Sequence, residues 1–105
     1  MAENGLFHVF TPLGFHVRVL LQRWQIITTA KHPTMEGRLE EIREALVSPD
    51  EVRHSRSDGN VYLFYRAQRP GRWTCAVVKR VDGEGFLITA YLTDAIKEGE
   101  RVWSK

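Results

Sequence analysis

The stretch Arg23 to Pro33, RWQIITTAKHP, ends in two proton-handling side chains, Lys31 and His32, followed at once by a proline. Far along the chain, LITAY sets Thr89 and Tyr91 two residues apart, the spacing that puts two side chains on one face of a strand. An unperturbed histidine titrates at about pH 6.5, so it can give or take a proton near neutrality. Such groups can serve general acid–base chemistry, in which one group takes a proton, a cation steadies developing negative charge and another group returns a proton to the leaving atom. Arginine's planar fork suits phosphate oxygens, and Arg53, Arg66 and Arg80 stand in stretches of strand pattern. A structural account runs beside this one: basic residues favour the last turn of a helix, and proline is a common stop.

These residues need elements to hold them. Leu20, Trp24 and Ile27 recur at helical spacing, with Lys31 near the middle of their stripe and Thr28 and His32 on its edge. Residues 36–47, EGRLEEIREALV, carry a second stripe of Leu39, Ile42 and Leu46, extended backward by Met35. Thr34 is placed to cap that helix, and Pro49 closes it. From Val52 the period becomes two. VRHSR, VYLFYR, WTCAVVKRV and FLITAY are joined by SDGN, QRPGR and DGEG, which predicts a four-stranded antiparallel meander. FHVF and FHVRV, on either side of TPLG, offer an additional N-terminal strand or hairpin. DAIKEGERVW predicts a short turn of helix ending in a strand-like Trp103. The expected fold is α+β and one domain over 1–105: two N-terminal helices packed on one face of a twisted four-stranded antiparallel sheet.

Parity then sorts the side chains. Pairing Arg56 with Val61 and Val81 with Phe86 puts Trp73, Cys75 and Val77 on an apolar face that should meet the helices. The relative register of the two hairpins stays open across RAQRPGR. If their apolar faces coincide, Arg53, Ser55, Tyr62, Phe64, Arg66, Arg80, Thr89 and Tyr91 share the open face. Cations, rings and hydroxyls are what single-stranded RNA requires. The same mixture is also ordinary for a solvated strand face.

Composition narrows the field. The chain has 105 residues, 43% hydrophobic and 27% charged, an ordinary balance for a folded domain. Its net charge of +2 permits a nucleic-acid partner without requiring one. The one cysteine, Cys75, excludes an internal disulfide, fits a cytoplasmic setting and reads as a small core residue. The first residues, MAENGLFHVF, lack the pattern of a signal peptide, and no apolar run is long enough to span a bilayer. His8, His16 and His54 show no metal-ligand spacing.

The order KHP, SPDEV, RHS, a Tyr-rich strand ending in arginine and a late LITAY resembles the phage- and toxin-associated nucleases of the barnase/EndoU/colicin/RelE-like (BECR) fold. The resemblance covers roughly Phe15 to Trp103. It implies a metal-independent endoribonuclease without a cofactor, acting on tRNA or mRNA, with an antitoxin or immunity protein as a further partner. By position it assigns catalytic roles to His32, Arg53, Thr89 and Tyr91. Lys31, Ser55, Tyr62, Phe64, Arg66 and Arg80 would then bind RNA. No acidic residue matches the glutamate base of barnase, so the general base stays open; His54 or Tyr91 would carry the proton if His32 points away. The alternative is a non-catalytic RNA- or protein-binding module.

Overall fold

The computed structural model describes residues 5–96 and 98–105. The elements follow in the order β1 (Gly5–Phe10), β2 (His16–Leu20), α1 (Leu21–Ile26), α2 (Leu39–Val47), β3 (Glu51–His54), β4 (Val61–Arg69), β5 (Arg72–Val81), β6 (Glu84–Thr93) and β7 (Glu100–Ser104). The strands form one sheet ordered β1-β2-β6-β5-β4-β3-β7. Neighbours run antiparallel except β2 and β6, which are parallel.

This overturns the expected two helices on a four-stranded sheet. The meander β3 to β6 is present, but it is the middle of a seven-stranded mixed sheet. Both of its edges offered unpaired backbone donors and acceptors. The N-terminal hairpin covers part of one edge, and the tail covers the other as β7, paired with β3. No helical turn forms over the described residues 94–96 and 98–99; Lys97 lies outside the described residues.

The helical segments are also shorter than predicted. Six residues of α-helix pass into a π-helical turn at Ile27–Lys31, and Pro33–Met35 forms a 3-10 turn. Helix α2 starts at Leu39, because Gly37 adopts φ +78 and breaks any longer helix. Thr34 does not cap it; the Thr34 carbonyl instead accepts a hydrogen bond from Arg38 Nε at 2.8 Å.

Register differs by one residue in the first hairpin. His54 faces Tyr62 and Val52 faces Phe64, whereas the expected pairing joined Arg56 to Val61. Asp58 draws the chain into a turn through its side chain, which accepts from the Asn60 N–H at 2.9 Å. The last hairpin turns on two residues: Asp82 at φ +53 and Gly83 at φ +85 make a type I′ turn, so Val81 faces Glu84 rather than Phe86. A bulge between Val77 and Val78 then sets Thr89 opposite Val77 and Tyr91 opposite Cys75.

A slip of one residue exchanges the faces of a strand. The helices therefore meet Ala76 and Val78, not the Cys75 and Val77 face. Ile42, Ala45 and Leu46 of α2 belong to one core with Val17, Val19, Val52, Phe64, Ala76 and Val78. Leu63, Tyr65, Cys75 and Val77 form a second, smaller core, packed against by Ile96. No helix among the described residues is long and apolar enough to cross a membrane.

Candidate functional site

On the side of the sheet that carries the smaller core there is a hollow of about 380 Å³, lined by His32, Tyr65, Thr89, Tyr91, Thr93, Ala95 and Glu98. Three elements build it. Alternate residues of β6 supply Thr89, Tyr91 and Thr93, as a period of two requires. Tyr65 comes from β4. The connection from β6 to β7 supplies Ala95 and Glu98.

His32 arrives from the helical side, around the edge of the sheet. β2 pairs with β6 only at Val17–Gly85 and Arg18–Phe86, which leaves the rest of that edge to the helical segment. The π turn closes with the His32 N–H donating to the Ile27 carbonyl at 2.7 Å. The imidazole is half-buried, and its ring centre lies 5.6 Å from that of Tyr91.

Burial dominates the floor of the hollow. Cys75 is fully buried, and burial pushes its thiol up to about 12. Burial likewise raises the phenols of Tyr65 and Tyr91 above the ordinary tyrosine range, with the neighbouring Cys75 adding to the effect. Both phenols are therefore neutral hydrogen-bond donors near neutral pH. Thr89 Oγ1 is buried without a hydrogen-bond partner among the described residues. An unsatisfied buried hydroxyl costs about 1–3 kcal/mol, which makes this one notable on the wall of a cavity.

Of the four residues expected to be catalytic, His32, Thr89 and Tyr91 line the hollow and Arg53 does not. Arg53 Nε contacts Glu51 Oε2 at 2.6 Å, and its Nη1 donates to the Gly99 carbonyl at 3.1 Å. It holds the connection that carries Glu98. The set expected to bind RNA disperses. Phe64 is fully buried in the helix-side core, because the register turns it inward. Arg66 Nη1 donates to the Ser48 carbonyl at 2.6 Å, at the exit of α2. Tyr62 and Arg80 line a different cleft with Phe15 and His54. Ser55 lies in the turn after β3, 3.2 Å from Ser57 Oγ. Lys31 is exposed instead of central to the apolar stripe, because the π turn rotates the face that follows it.

Sequence reasoning missed Tyr65, Thr93 and Glu98. The period of β6 already grouped Thr93 with Thr89 and Tyr91, and the correct hairpin register would have added Tyr65. Glu98 carries no local signal, since a connection places it. Among the described residues no three His, Cys, Asp or Glu side chains converge as metal ligands would. No protein-family model matches the chain, and neither a curated protein nor a solved structure matches it.

Proposed function

We propose that this chain is a metal-independent endoribonuclease and that the hollow is its active site. One observation carries the reading: His32, from the helical segment, lines one cavity with Thr89 and Tyr91, more than fifty residues further along the chain, and that cavity also holds the carboxylate of Glu98. Glu98 takes the 2′-hydroxyl proton as that oxygen bonds to phosphorus. The P–O5′ bond breaks, and His32 gives its proton to the departing 5′-oxygen. The products are a 2′,3′-cyclic phosphate and a free 5′-hydroxyl. Tyr91 stays protonated and donates to a non-bridging phosphate oxygen, and the unpartnered Thr89 hydroxyl gains an acceptor. Arg53 is a positioning residue, acting through Gly99 on the segment that bears Glu98.

Incubation with total RNA in EDTA tests this. The wild-type protein should cut and leave cyclic phosphate ends, and His32→Ala should be slower by about a hundredfold or more. If neither protein cuts where a known ribonuclease does, the reading fails, and binding without cutting would favour a non-catalytic module.

A further inference from the structure

Two more clefts adjoin the hollow around the C-terminal end of β6. One, of about 330 Å³, is lined by Arg72, Leu92, Thr93 and Asp94, and it shares Thr93 with the hollow. The other, of about 160 Å³, is lined by Arg38, Gln68, Arg69, Arg72 and Leu92, and it shares Arg72 and Leu92 with the first. A path thus leads from the His32 hollow, past Thr93, to three arginines.

The charges along that path are not those a sheet needs for stability. Arg69 and Arg72 face each other across the Pro70-Gly71 turn. Like charges directly opposed on neighbouring strands are destabilising. A bulge between Ala67 and Arg69 creates this opposition; without the extra residue Gln68 would face Arg72. Some arginines of the chain have carboxylate partners, among them Arg38 with Glu41, Arg53 with Glu51 and Arg66 with Glu44. Arg69 and Arg72 have none among the described residues. Asp94, on the wall of the middle cleft, forms no ion pair with Arg72.

We propose that Arg69 and Arg72, beside Arg38, form a phosphate track that takes the backbone of single-stranded RNA leaving the hollow. The assignment of RNA rests on the nuclease reading, whereas the binding does not require cutting. Phosphates arriving between Arg69 and Arg72 convert a repulsive pair into a shared anion site. A flexible strand can follow a path that turns around the end of a sheet, which a stiff duplex cannot.

Binding is measured on the His32→Ala protein with a short fluorescein-labelled single-stranded RNA, by anisotropy over a range of salt. Adding R69Q and R72Q should weaken binding roughly tenfold at low salt. It should also reduce the slope of log K against log salt by about 0.7, the contribution of the one single-strand phosphate that the shared site neutralises. The melting temperature should hold or rise, because the opposed charges are gone. Unchanged affinity and slope overturn the track, as does the absence of salt-dependent RNA binding before those substitutions. Equal binding of duplex DNA overturns the single-strand assignment. Wild-type protein that binds RNA with this slope but never cuts it removes the nuclease reading and leaves the track standing. Cutting combined with unimpaired R69Q/R72Q binding does the reverse.

Discussion

His32 owes its position to the four β-branched residues that precede it by a few places, Ile26, Ile27, Thr28 and Thr29. Such residues are stiff in a helix. Thr28 Oγ1 also donates back to the Trp24 carbonyl at 3.0 Å, and Thr29 Oγ1 to the Gln25 carbonyl at 2.6 Å. Hydroxyls bonded back in this way bend helices, and here the ladder widens to a π turn. That run of β-branched residues was the available signal that an ideal helical wheel would misplace Lys31. The same scale separates Phe64 from Tyr91, two aromatic residues that strand parity alone groups on one face. Phe64→Ala should cost about 3–5 kcal/mol in denaturant unfolding, since the ring is fully buried. Tyr91→Phe keeps the ring and removes only the donor. Its RNA cleavage should fall about a hundredfold, with a melting temperature close to wild type.

The connection from β6 to β7 is the element on which the site turns. Gly99 holds it at φ +79, and a Cβ there would lie 2.5 Å from the His54 carbonyl oxygen. Gly99→Ala should therefore lose about 1–3 kcal/mol of stability by thermal melting, and cleavage should drop with it as Glu98 is displaced. Stability unchanged by that substitution would show that the segment is not pinned there. The tight turns were legible in part. Asp82-Gly83 announced a hairpin, but its two-residue geometry follows from both residues taking positive φ, and the four-residue DGEG reading concealed it. In the first hairpin, the Asp58 side chain set the length of the loop, and a loop one residue different exchanged every face of β4.

Across the molecule, Asp50 joins parts distant in sequence. Its Oδ2 accepts from the Ala67 N–H at 2.7 Å, its Oδ1 lies 3.2 Å from Lys105 Nζ, and its carbonyl accepts from the Lys105 N–H at 3.0 Å. The Ala67 N–H, chiefly, and then Lys105 hold its carboxyl below the ordinary 3.8. The unfolded chain thus takes up this proton first as pH falls, so the stabilisation is present above that ordinary value and is lost on going down through the folded pKa. Asp50→Asn should melt lower than wild type at neutral pH, and the gap should close as the pH drops below about 3.8. A gap independent of pH would mean that the carboxylate's charge contributes nothing. By itself the sequence determined what local chemistry dictates: a meander of alternating strands, its turns, a stop after His32, and the residues Thr89 and Tyr91 on one side of a strand. Only the tertiary structure decided how many strands join the sheet, which face meets the helices, and which distant residues line the hollow. Those outcomes depend on pairing between segments far apart in the chain, and such pairing is settled by burial and backbone hydrogen bonding over the whole sheet, where a single residue of slip reverses the answer.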